Sequence, residues 1–428
     1  MRQWIRTGWC VCAAAGGVLL VSPPANAQTS PLVTRVTLQE AVQMAVARNQ
    51  ALQAQRMAVD ASRADEITAG LKPNLGLSFS ADGFPPFSPH QINWDFLKNQ
   101  TSYSTSASYL FERGGKRQNR IAVAKSTTDV AEKTALDAER SLRFQTAQAF
   151  VQVLLAKSTL ELAQQNLASF RDVVTVNQQR VTSGDLAEVE FYRIHLQQLQ
   201  FEQDESSAEV ALVQARANLR QLLGFDTVAE DFEAVGDLAY TPLTLDLDSL
   251  KKDALESRAD YLAAQSGVTL AQNTLTLEKS NRARDVSGDV DFVHTGPDNS
   301  MGVGASFDLP IHDRNQGNIA RSEVLVRQAT EQELAARYLV VTDVVNAYAG
   351  WQTNQKVVGL YQSGYLTQAQ QSLEISRYVY QRGAGNLLDL LDAERTYRDT
   401  QLGYRQALAA YMTSVQQLNF AVGKQVLP

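Results

Sequence analysis

Residues 378–394 read YVYQRGAGNLLDLLDAE. A long proline-free stretch with helical periodicity precedes them and another follows, with Gly383 and Gly385 as the interruption. Glycine tolerates the left-handed backbone that ends a helix, so the segment predicts a helix–turn–helix tip over about 381–386. Just past the turn, Asp389 and Asp392 stand three apart, which puts both on one face of the returning helix. Taken alone, two acids near a helix start are what the helix dipole favours. Several copies of the tip around an axis would make an acidic ring.

The same plan occurs earlier in the chain. Gly184 matches Gly383, Glu190 matches Asp389 and Gly224 matches Gly423, each pair 199 residues apart. Arg120-Ile121-Ala122 matches Asn318-Ile319-Ala320, and Ala149-Phe150 matches Ala347-Tyr348, at 198. A near-constant offset over so long a stretch is an internal duplication. In the first copy the tip falls at about 182–186 around Gly184, and Arg193 stands where the second copy has Asp392.

Proline placement maps the elements. None occurs from His90 to Thr241 or from Ile311 to Leu427, and both windows are rich in helix formers. Within 116–182, Phe144, Val151, Leu155 and Leu162 recur at coiled-coil spacing with alanines between them. A helix of that length is a rod of about 100 Å at 1.5 Å per residue. A helix returns from about 187 to 223, and 226–247 reads as a linker. Thr37-Leu38-Gln39-Glu40 is a capping box opening a first helix that runs to about Thr68. A helix over about 250–282 echoes it, with Asn49 matched to Arg258.

Four segments alternate apolar or aromatic with small polar residues: about 74–82, 102–110, 286–294 and 300–309. Strands of about nine residues with this pattern fit transmembrane β-strands, and a soluble hairpin is the plainer reading. Four are too few to close a barrel, and an open sheet cannot sit in lipid with unpaired edge amides. The chain is therefore expected to associate with copies of itself. The repeats are 28–225 and 248–428.

The chain opens with Arg2 and Arg6, an apolar run from Trp9 to Val21, and Ala25-Asn26-Ala27, the pattern of a cleaved secretory signal ending at 27. Both cysteines, Cys10 and Cys12, lie inside it, which leaves no disulfide or thiolate framework. Removing it takes the formal net charge from −7 to −9, against nucleic acid as a partner.

Asp289, Asp291, His294, His312 and Asp313 could be gathered as a metal cluster, but Asp289 and Asp291 face away from His294 on one strand. No metal site and no cofactor is expected. No nucleophile elbow, phosphate loop or metalloprotease motif occurs, and the chain is not read as an enzyme.

TLQEAVQMAVARNQAL (37–52), DLPIHDRNQGNIA (308–320) and YQRGAGNLLDLLDAE (380–394) together resemble the TolC-like outer-membrane efflux proteins. The resemblance covers essentially 36–424 and includes the duplication. It implies a mainly α fold with a membrane β-barrel contribution: a homotrimer with a twelve-stranded barrel in outer-membrane lipid and a periplasmic helical tunnel. It implies a periplasmic adaptor and an inner-membrane resistance-nodulation-division pump as partners in a Gram-negative cell. It implies a tip closed at rest by hydrogen bonds and salt bridges, which on this chain fall at Tyr380, Asp389 and Asp392. Gly385 stands where the family's type member has an arginine, and Arg382 is the candidate substitute. An Arg193–acid contact between neighbouring tips is a second candidate latch. The Arg314–Gly317 junction is similar to that of the branch paired with cobalt–zinc–cadmium exporters, so divalent heavy-metal ions are the first expectation for cargo. Drugs or other small organics are the alternative, and a soluble periplasmic coiled-coil scaffold is the alternative of another class.

Overall fold

The computed structural model describes residues 32–83 and 93–427. The leader at 1–27 and the proline- and aromatic-rich loop at 84–92 lie outside them. The elements run β1 (Val33–Thr37), α1 (Leu38–Arg48), α2 (Gln50–Gly70), β2 (Gly76–Asp82), α3 (Trp94–Asn99), β3 (Ser102–Phe111), α4 (Lys116–Thr182) and α5 (Glu188–Leu223). They continue β4 (Val228–Val235), α6 (Leu247–Ser257), α7 (Ala259–Ser280), β5 (Val286–Thr295), β6 (Asp298–Ser306), α8 (Gln316–Leu360), α9 (Leu366–Gln381) and α10 (Leu387–Val422). Among the described residues no helix is long and apolar enough to cross a membrane.

Thr37 caps α1 as its sequence demands: its hydroxyl accepts from the Glu40 amide while Glu40 Oε2 accepts from the Thr37 amide at 2.8 Å. The first helix is not continuous to Thr68, however. It breaks at Asn49, whose ψ of 120° is extended and whose side chain caps α2 through the Leu52 amide. The equivalent helix breaks at Arg258 with the same extended ψ of 120°, though without a side-chain cap. Each break residue also reaches the end of its own repeat's last helix. Asn49 Nδ2 donates to the Leu222 carbonyl at 3.2 Å, and Arg258 Nη1 donates to the Ala421 carbonyl at 3.3 Å. Those two carbonyls are 199 residues apart, so the duplication extends to a single hydrogen bond.

The expected linker holds a strand. β4 pairs parallel with β1, Thr37 opposite Val235, burying Val228, Phe232 and Ala234. The described residues therefore hold six strands rather than four. Five residues at 33–37 and a bulged partner give too short an alternation to read beforehand.

β2, β3, β5 and β6 form one antiparallel sheet in the order β2-β3-β5-β6. β3 and β5 come from different repeats, so the sheet is where the halves join edge to edge. One face carries Leu77, Phe79, Ala107, Val290, Phe292, Met301 and Val303, with Phe79 75% and Val303 85% exposed. The other carries Ser78, Ser80, Ser104 and Ser106, joined in cross-strand pairs at 2.6 and 2.8 Å, then Asp289, Asp291, Gly302 and Gly304. β6 stops at Ser306 rather than 309, because its pairing with β5 ends at Ser287 opposite Ser306.

Each repeat has its own core. Val36, Ala41, Phe150, Leu154, Leu219 and Phe232 anchor the first; Trp351, Tyr411, Leu250, Val344, Leu418 and Val422 anchor the second. A third cluster at the far end joins both repeats through Phe170, Ile194, Phe201, Leu373 and Leu390. α4 is unbroken over 67 residues. Its counterpart is not: a π-helical turn at Tyr361–Tyr365 separates α8 from α9, with Gly364 at φ 136°. The expected uninterrupted rod in the second repeat is thus two segments.

Candidate functional site: the paired helical tips

Both tips are built alike. In the first, the Asp185 amide donates to the Arg180 carbonyl at 2.7 Å and Gly184 (φ 83°) to Val181 at 3.0 Å. In the second, Ala384 donates to Val379 at 3.1 Å and Gly383 (φ 72°) to Tyr380 at 3.0 Å. These are the six-to-one and five-to-two bonds of a Schellman ending. Gly385 has a different reason to be glycine. Its φ is not left-handed; a β-carbon there would stand 3.0 Å from Val379 Cγ1 and 3.4 Å from the Tyr380 nitrogen. Asn386 caps α10 by accepting from the Asp389 amide at 2.9 Å.

Tyr380 is the buried member of the site, 7% exposed. Its hydroxyl donates to Asn177 Oδ1 at 2.8 Å, joining α9 of the second repeat to α4 of the first. Asn177 is itself held, donating to the Val173 carbonyl at 2.8 Å. The Arg180 guanidinium lies 5.3 Å over the Tyr380 ring, close enough for a cation–π contact. Burial pushes the Tyr380 hydroxyl above its ordinary value, against the lowering effect of Arg180. At neutral pH the Tyr380–Asn177 bond therefore joins two uncharged groups.

Asp389 and Asp392 are both exposed, as are Arg193 and Arg382, and Glu190 is half-buried. Among the described residues none of the five has an ion-pair partner within the chain. Arg382 instead lies 5.3 Å over the Tyr378 ring. Within one chain, neither candidate arginine latches an acid. Two contacts escaped the sequence reading. Arg377 pairs with Glu394 at 2.7 Å, both on the second hairpin, and donates to Ser169 Oγ of α4 at 3.1 Å. Asn177 had a legible signal: Ala163, Phe170 and Asn177 are seven apart and all buried, and an amide in a buried seam needs a partner.

Elsewhere, His294 Nδ1 meets Asn299 Oδ1 at 2.8 Å on the apolar face of the sheet, opposite Asp289 and Asp291. The Asp313 carboxylate accepts from the Asn315 amide at 2.8 Å in the corner before α8. No three His, Cys, Asp or Glu side chains gather as a metal site among the described residues.

The family model for outer membrane efflux proteins matches residues 41–225 and 250–424. The chain is 24% identical over 391 residues to the cobalt-zinc-cadmium resistance protein CzcC of Cupriavidus metallidurans, covering 91% of this chain and 90% of that one. It is 24% identical over 320 residues to the outer membrane protein TolC of Vibrio cholerae, covering 69% and 72%. Among solved structures, a CusC chain superposes with a TM-score of 0.76 at 18% identity, covering 90% of this chain and 92% of that one. The open-state MtrE outer membrane channel of Neisseria gonorrhoeae gives 0.76 at 19%, covering 91% and 89%.

Proposed function

Because the chain belongs to the outer membrane efflux protein family, we propose that three copies close one twelve-stranded barrel in the outer membrane and hang a hollow helical duct beneath it. The duct passes cargo outward passively from an adaptor and an inner-membrane resistance-nodulation-division pump. The observation that carries this reading is the open four-stranded sheet with one mainly apolar face, its outer strands fully exposed, and one hydroxyl- and carboxylate-bearing face. Its edges, β2 and β6, are exposed along their whole length. In lipid such edges must be paired, and a copy on either side pairs them.

The helices support the same closure. Within one chain their lateral order is α5, α4, α10, then α8 with α9. The outermost helix α5 carries Val189, Tyr192, Leu196, Leu199, Val210 and Val213 at heptad spacing, all exposed. The opposite flank exposes Tyr338, Tyr365, Ile375 and Tyr378. Two different apolar flanks suit a head-to-tail contact, which gives a ring where the rotation between copies closes.

At the tip, Tyr380 with Asn177 holds the second hairpin against the first, and Asp389 and Asp392 ring the aperture with Glu190. Arg193 and Arg382, which have no acidic partner among the described residues of the chain, are assigned to acids of neighbouring copies. Heavy-metal cations are the proposed cargo, supported by the resistance protein CzcC among the relatives. The test is expression in a Gram-negative host lacking its own channel. Detergent-extracted trimers and restored zinc, cobalt or cadmium resistance are expected. A monomer that leaves the membrane in a salt wash refutes the duct, and restored dye efflux without metal resistance refutes the cargo.

A further inference from the structure

α4, α10 and α8 form a layer with two unlike sides. One is covered by the belt of short elements: Phe150, Val153 and Leu154 of α4, Tyr411 and Leu418 of α10 and Val344 of α8 are buried there. The opposite side is open and holds a groove of about 680 Å³ running across all three helices. Small residues of α10, Ala409, Ala410 and Ser414, recess its floor. Gly350 of α8 borders it, and a β-carbon there would meet nothing within 4 Å, so the glycine marks empty space rather than a tight contact.

The lining is unusual for a cavity of this size. It carries five side-chain amides, Gln152, Asn346, Asn354, Gln406 and Gln417, and no aromatic ring. Asn354 commits its Nδ2 to the Ala410 carbonyl at 3.3 Å, which leaves its oxygen free to accept. Thr413 Oγ1, also in the lining, is buried without a hydrogen-bond partner. The one carboxylate, Asp343, is paired with Arg258 at 2.8 Å and brings no free charge.

We infer that this groove is a station on the inner wall of the duct that holds a hydrated cation through the water molecules of its inner shell. The inference rests on the duct reading, which puts the bulky belt outside and the open side inside. Amide and hydroxyl oxygens accept from the polarised water around a cation without stripping it, so the hold is weak and cargo can leave. The wall offers a flat organic cation no ring to stack on. The groove thus favours hydrated ions over aromatic drugs.

The test is single-channel recording in planar bilayers, on the full chain and in an Asn177→Leu background that loosens the tip. Ala410 is exposed in the groove, so a charge placed there should fold and be felt. Ala410→Lys is expected to lower potassium conductance at least twofold and Ala410→Glu to raise it. In Asn346→Leu/Gln406→Leu, zinc permeability relative to potassium, read from the reversal potential with zinc chloride on one side, is expected to fall at least twofold. A conducting channel in which Ala410→Lys changes nothing, or in which the zinc ratio stays put, overturns the groove and leaves the duct standing. Absence of conductance in both backgrounds overturns the duct and the groove with it.

Discussion

Tyr380 and Asn177 meet as two neutral groups in a buried seam, and that decides how the tip can be unlocked. Removing one partner leaves the other unsatisfied, at a cost of about 1–3 kcal/mol. Tyr380→Phe and Asn177→Leu are each expected to raise single-channel conductance, and the double variant to exceed neither by much, because both break one bond. Additive effects would separate the two residues. A neutral bond does not titrate near physiological pH, so conductance should show no step between pH 5 and 8 that Tyr380→Phe removes. Arg258 tells the opposite story. It is 2% exposed, pairing with Asp260 at 2.5 Å and Asp343 at 2.8 Å. Burial opposes the charge on Asp260, but the guanidinium outweighs it and holds the carboxyl below its ordinary value. A lowered folded-state value contributes stability above the unfolded one, about 3.9, that is lost as pH falls through the folded one. Acid should therefore destabilise the wild type more than Asp260→Asn. At pH 7 that variant should be less stable by about 1–2 kcal/mol, less than for a fully buried pair because Asp260 is partly solvated. Chemical denaturation at pH 7 and pH 3 checks both.

Among the elements, the capping box at Thr37, the two tip glycines and the coiled-coil spacing of α4 were legible because each rule acts within a few residues. The breaks at Asn49 and Arg258 were not: Asn49 also caps α2 locally, but what the two breaks share is a bond to a carbonyl 173 and 163 residues away. The π-helical turn is likewise set from outside. Gln362 Nε2 donates to Tyr404 Oη at 3.0 Å, and a β-carbon on Gly403 of α10 would stand 2.5 Å from the Tyr361 hydroxyl. Gly403→Ala should therefore destabilise α9 by about 1 kcal/mol, at the low end for overpacking because the ring end can tilt. Tyr361→Phe should restore it; hydrogen exchange along α9 reads the effect. Gly423→Ala should be worse, by about 2 kcal/mol or more. It combines a φ of 85° with a β-carbon 3.1 Å from the Arg258 α-carbon, and backbone there cannot yield. Thermal unfolding in detergent measures it.

For the whole molecule, the duplication was legible from spacing alone, whereas the parallel pairing of β1 with β4 was hidden by its shortness. The acids at the tip were legible as a face, but among the described residues neither finds an ion-pair partner within the chain. Leu196→Glu with Val210→Glu puts charge into the exposed heptad of α5 and should convert the proposed trimers to monomers in mild detergent, read by light scattering. Unchanged trimers would move the subunit contact elsewhere. The β1–β4 pairing also sets an order of assembly. Once residue 235 has been made, the first half possesses every buried member of its core, from Val36 to Ala234, and lacks only flanking contacts such as Met412. The membrane sheet does not: β3 waits for β5, nearly two hundred residues downstream. The first half's core can thus settle while the sheet is half-made, its β2–β3 ribbon already present and the outer edge of β3 open until β5 arrives.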